Sequence, residues 1–89
     1  VVSLGACTPT PETLFAEGEA AFEAHDYRTA WLQISEGLKQ QPDNPDMQIL
    51  LVRALLKLGQ GERADLAIKK LSPQLRAEPA VKLLQAEAD

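Results

Sequence analysis

The sequence predicts an all-α fold: antiparallel helix-turn-helix repeats stacked as an α-solenoid, about two repeats plus one further helix. Three observations predict it. Pro11, Pro45 and Pro79 lie 34 residues apart, then 34 again. Shifting the chain by that period superposes Ala20 on Ala54, Ala30 on Ala64, Leu32 on Leu66 and Ile34 on Ile68. The same shift places Phe15 over Ile49 and Leu83, and Phe22 over Leu56. Within each unit the apolar residues recur at helical spacing. Self-similarity at such a period marks stacked units, because one hairpin cannot bury its apolar face alone.

The elements follow in order. A first helix is expected from Pro11 to Ala24, with Leu14, Gly18, Ala21 and Phe22 inward. Pro is suited to the first helical position, where its missing N–H has no intrahelical partner. Thr10 and Asn44 precede two of the three prolines and are good N-caps. His25-Asp26 makes the turn, and Asp26 caps a second helix over Tyr27 to Gln40, which carries Ala30, Trp31, Ile34 and Leu38 on one face. Pro42-Asp43-Asn44-Pro45 breaks the chain. The third helix runs to Leu58, with Met47, Leu51, Ala54, Leu55 and Leu58 inward, and Gly59 supplies a left-handed position after it. The fourth, about Glu62 to Leu71, uses Ala64, Ala67, Ile68 and Leu71, and Ser72-Pro73 ends it early. A last helix starts at Pro79 and carries Val81, Leu83 and Leu84.

Composition removes several function classes. The 89 residues hold 9 Lys+Arg against 13 Asp+Glu, a net charge of -4, which argues against nucleic acid as a partner. Aromatic residues are 4%, too few for a base-stacking platform. One cysteine and one histidine exclude an internal disulfide and any site built from several Cys and His ligands. No catalytic residue, metal or cofactor is expected. His25 sits at a turn. Gly59-Gln60-Gly61 lacks the Lys and Ser/Thr of a phosphate loop. Glu12, Glu17, Glu19 and Glu23 read as the solvated face of one helix.

At this point the residues resemble the tetratricopeptide repeat, whose pattern is W-x2-L-G-x2-Y, then A-x3-F, then P. The first unit places Leu14, Glu17, Gly18, Ala21, Ala30, Ile34 and Pro42 there, and the second Gln48, Leu51, Val52, Leu55, Ala64, Ile68 and Arg76. Asp26-Tyr27 matches the family's frequent pair before its second helix. Glu17, Gln48, Arg76 and the early Pro73 depart from the pattern, so the second unit is degenerate and the turn over residues 73–78 is expected to lose standard geometry. The repeat domain is 11–89, divided into 11–44, 45–78 and 79–89. Two units and a helix fall short of the three or so repeats usually needed, so a parent protein continuing beyond Asp89 is expected.

The N-terminus carries a second resemblance. Val1 to Ala6 reads as the end of a signal peptide, and Leu4-Gly5-Ala6-Cys7 resembles the lipobox of bacterial lipoproteins. The resemblance implies that Cys7 is the lipidated first residue of the mature protein, followed by a short flexible tether over 7–10. Thr8 after the cysteine implies the outer membrane, facing the periplasm. The first unit is most similar to tetratricopeptide lipoproteins of exopolysaccharide-export and PEP-CTERM sorting loci, in Pro11-Glu12-Thr13-Leu14 and Asp26-Tyr27-Arg28-Thr29-Ala30.

The family resemblance implies a non-catalytic protein-interaction scaffold whose first helices line a concave, partner-binding face. The residues it assigns there are Phe15, Glu19, Phe22, Ile49, Arg53, Leu56, Lys57 and Leu83, with Glu12, Glu23, Asp46 and Glu87 beside them. A row Phe15-Ile49-Leu83 suits an apolar peptide or helix. The alternatives are an accessory repeat domain of a larger envelope enzyme or assembly machine, and a small helical protein that buries this row in a homo-oligomer.

Overall fold

In the computed structural model, which describes residues 9–88, six helices follow one another. They are α1 (Pro11–Glu23), α2 (Tyr27–Gln40), α3 (Pro45–Lys57), α4 (Gly61–Lys69), α5 (Pro73–Arg76) and α6 (Pro79–Ala88). Residues 1–6, read as a signal-peptide end, and Cys7 lie outside the described residues.

The chain chooses these starts for local reasons. Thr10 Oγ1 accepts from the N–H of Thr13, Asp26 Oδ1 from that of Thr29, and Asn44 Oδ1 from that of Met47. Each bond satisfies one of the orphan donors of a first helical turn. The two hairpin turns share one geometry. His25 has φ 65 and Gly59 has φ 76, so both residues are left-handed. Around them Asp26 N–H donates to Ala21 O and His25 N–H to Phe22 O, while Gln60 N–H donates to Leu55 O and Gly59 N–H to Leu56 O. This pattern satisfies the last carbonyls of a helix and reverses the chain.

The helices pack in sequence, α1 on α2, α2 on α3, α3 on α4, and α6 against α4 and α3. Two buried clusters result. Ile34, Met47 and Leu50 join the first hairpin to α3, with Phe15, Phe22 and Leu38 packed on them. Val52, Leu55, Ala64, Ile68, Leu71 and Val81 join α3, α4 and α6, with Trp31 and Leu84 against them. Full burial of each Ile or Leu contributes about 1.5–3 kcal/mol. Gly18 has a steric role: a Cβ there would stand 2.7 Å from Ile34 Cδ1, closer than packed carbons tolerate. Its absence lets α1 and α2 close over Ile34, which is fully buried.

One expectation needs correcting, and one departure takes a definite form. Leu58, expected inward, is exposed. It is the C-cap of α3, already outside the helix and at the chain reversal, so it turns away from the core face. Leu50 takes the buried place instead. The segment after Pro73, expected to lose standard repeat geometry, forms the one-turn helix α5. Pro73 forces Ser72 into an extended conformation (φ -63, ψ 156), which ends α4, and the freed Ser72 Oγ accepts from the N–H of Leu75. Pro73 thus closes one helix and opens the next.

Gln48, standing where the repeat pattern has an aromatic, donates from Nε2 to the carbonyl of Pro42 and fastens the α2–α3 loop. No described helix is long and apolar enough to cross a membrane.

Candidate functional site

The 34-residue register sets corresponding positions of α1, α3 and α6 side by side. Phe22 and Leu56 correspond, as do Glu23 and Lys57, and Glu19, Arg53 and Glu87 form a third set. Charge therefore alternates across the three helices, acidic on α1, basic on α3 and acidic again at Glu87. The structure brings these residues together. Phe22, Arg53, Leu56, Lys57, Leu84 and Glu87 line a recess of about 230 Å³. Glu19, Phe22, Glu23, Leu50 and Arg53 line a smaller one of about 60 Å³. Phe22 and Arg53 belong to both and form the ridge between them.

That ridge is a built contact. The Arg53 guanidinium carbon lies 4.6 Å from the centroid of the Phe22 ring. The same ring meets Tyr27 edge-on at 5.1 Å. Guanidinium over an aromatic face is worth about 0.5–1 kcal/mol at an exposed site. It also orients Arg53, whose side-chain N–H groups meet no acceptor among the described residues. Among the described residues Arg53 and Lys57 make no ion pair with Glu19, Glu23 or Glu87. Each recess is smaller than the several hundred Å³ of an ordinary small-molecule pocket. They have the size of single side chains.

Five of the eight residues assigned from the sequence line this groove: Glu19, Phe22, Arg53, Leu56 and Lys57. Three do not. Phe15 is half-buried against the Ile34–Met47–Leu50 cluster, and Ile49 is half-buried against the second cluster. Both serve packing between helices. Leu83 is 68% exposed on α6 and turned away from the recess, and Leu84 takes the lining place. Leu84 was legible from spacing, since Val81, Leu84 and Ala88 fall at i, i+3 and i+7 on one helical face.

The described lining of the groove holds no His, Cys, Ser or Thr side chain. His25 is at the hairpin turn, its ring tilted 5.8 Å from that of Tyr27. Among the described residues no group of three or more His, Cys, Asp or Glu side chains is placed to hold a metal ion.

The family description of the tetratricopeptide repeat matches residues 21–88, well over half of the chain. The chain belongs to the tetratricopeptide repeat family. No curated protein and no solved structure matches it. Under the 34-residue register α1 and α3 hold corresponding places, as do α2 and α4, and α6 begins one period after α3. Such repeats generally serve as protein-interaction modules.

Proposed function

We propose that this tetratricopeptide chain is a non-catalytic scaffold that holds a peptide or helix of a protein partner across α1, α3 and α6. The Phe22–Arg53 ridge between two side-chain-sized recesses supports this reading best. An apolar residue of the partner fits beside Phe22 and Leu56. Backbone carbonyls or carboxylates meet Arg53 and Lys57, and backbone or side-chain donors meet Glu19 and Glu87. The reading also places the scaffold in the bacterial envelope, anchored through lipid on Cys7 at the outer membrane and facing the periplasm. Leu4-Gly5-Ala6-Cys7 supports the anchor, because a multiply acylated cysteine gives stable attachment. Similarity over Pro11–Leu14 and Asp26–Ala30 supports service to exopolysaccharide export or protein sorting.

A photo-crosslinking residue at Leu56 tests the groove in the native host. A single cross-linked protein at Leu56, lost in Phe22→Ser and absent from a probe at Leu32, is the expected result. Equal cross-linking from Leu32 sinks the assignment of this face. The intact mass of the membrane-extracted protein tests the anchor: an acylated Cys7 at the N-terminus is expected, and an unmodified cysteine removes it. A second reading, self-association, is favoured by the exposure of Leu83, and concentration-dependent sedimentation abolished by Leu83→Ser would carry it.

A further inference from the structure

α3 has a second lined face. At about 100° per residue, Gln48, Leu51 and Leu55 lie on the opposite side of the helix from Arg53, Leu56 and Lys57. These three side chains help to line a separate groove of about 370 Å³ between α2 and α4. Leu38 and Pro42 wall it on one side, Leu66 and Ala67 on the other. Leu66 is 58% exposed, so the wall is open to a visitor. The charged residues of its lining are Arg63 and Lys70, both on the α4 side and seven apart, hence two turns up the same flank. No carboxylate lines this groove. Among the described residues neither cation is in an ion pair, whereas Lys39 and Lys69 are. An apolar floor under a purely cationic rim inverts the local charge of a chain whose net charge is -4. A second recess continues past Gln48 and Lys70 to Ser72 and Leu75, with Asp43 on its lip, so the path is longer than a small molecule needs.

We propose that this α2–α4 groove docks an acidic peptide segment. Its large apolar side chains enter between Leu38 and Leu66, and its carboxylates meet Arg63 and Lys70. The site uses none of the residues of the α1–α3–α6 groove and stands independently of that reading. Charge complementarity selects the occupant. A second copy of this chain is a poor fit: its most acidic surface, along α1, displays Thr13, Ala16 and Ala20 between the glutamates and no large exposed apolar anchor. A lipid surface is a poor fit because the Leu51–Leu55 floor is recessed between helices and two cations make a weak electrostatic footing.

The test uses the full chain and two fluorescent synthetic peptides, with leucines at helical spacing and glutamates elsewhere, or lysines in place of the glutamates. The glutamate peptide is expected to bind and the lysine peptide not. The double variant Arg63→Glu with Lys70→Glu is expected to weaken binding at least about tenfold. Leu66→Ser weakens it as well, and added salt weakens it in the unmodified chain. In the background Arg53→Glu with Lys57→Glu, which silences the opposite groove, the glutamate peptide still binds, and the Arg63/Lys70 pair still weakens that binding. Circular dichroism confirms that the exposed substitutions keep the fold. The proposal is overturned if neither peptide binds, if both bind equally, or if the Arg53/Lys57 pair removes binding. It is likewise overturned if the Arg63/Lys70 pair abolishes adsorption to anionic phosphatidylglycerol vesicles instead of peptide binding, or if sedimentation shows dimers that Leu66→Ser dissolves.

Discussion

At the end of α1 the chain turns through His25; at the end of α3 it turns through Gly59, with the same left-handed backbone and the same pair of crossed hydrogen bonds. The two hairpins then diverge. The first is followed by Asp26, whose carboxylate caps α2, and α2 runs for 14 residues. The second is followed by Gln60, which makes no side-chain cap, and α4 runs for 9 residues before Pro73 stops it. The first unit therefore has a poorer turn residue and a better-capped second helix. The second has the better turn residue and a shorter, uncapped one. Turn geometry belongs to the repeat; the quality of each part belongs to the individual sequence.

The largest effect is expected in the cores, which the comparison takes as equal. Ile34 and Ile68 are equivalent and both buried. Replacing either by Ala is expected to lose about 2–5 kcal/mol in urea unfolding. A much smaller loss at Ile68 would break the comparison, because the second unit would then be loosely packed as well as poorly capped. Next come the turns. Gly59→Ala is expected to destabilise by about 1 kcal/mol, since a Cβ penalises the left-handed position. His25→Gly is expected to stabilise by about 0.5–1 kcal/mol, the relief of strain exceeding the added freedom of the unfolded chain. A loss at His25→Gly would show that the His25–Tyr27 ring contact outweighs the strain. Third, Gln60→Asp gives α4 the cap that α2 already has, and about 0.5–1 kcal/mol of stability should follow. Slower amide exchange confined to the first turn of α4 is the sharper readout.

The smallest effect is electrostatic. Asp65 on α4 accepts from Gln85 of α6 and pairs with Lys69 at 3.0 Å. These contacts, the Gln85 hydrogen bond first and Lys69 next, hold its carboxyl below the usual carboxylate range. A folded pKa below the unfolded one gives stabilisation present above the unfolded value, about 3.9, and lost as pH falls through the folded value. Asp65→Asn should therefore lower Tm slightly at pH 7. The gap from the unmodified chain should close in acid, below about pH 4. A gap that stays constant with pH would place the effect in geometry instead of charge.

Much of this was legible in the residues because the signals are local. Pro11, Pro45 and Pro79 mark helix starts by a covalent property, and Thr10, Asp26 and Asn44 are short side chains that reach only nearby backbone. Leu58 misled because helical spacing continues in the sequence one residue past the point where the backbone leaves the helix. The helix α5 was hidden because Ser72-Pro73 reads as a stop, and a stop is also how the next helix begins. Of the candidate groove, Phe22, Arg53 and Leu56 followed from register. The inward roles of Phe15 and Ile49 depend on how close neighbouring helices stand, which close contacts such as Gly18 on Ile34 decide and no spacing rule encodes.

Before α1 begins, the carbonyl of Pro9 accepts a hydrogen bond from Gln40 Nε2 in the last turn of α2. The strand leading into the fold is thereby tied across the open end of the first hairpin. A pull on that strand would load α1 and α2 together, in shear along their shared seam, before it could peel α1 away. If the chain is anchored through Cys7 as proposed, tension would meet the Asp26-capped hairpin first, and the second unit, with its shorter and uncapped α4, would lie beyond the line of force.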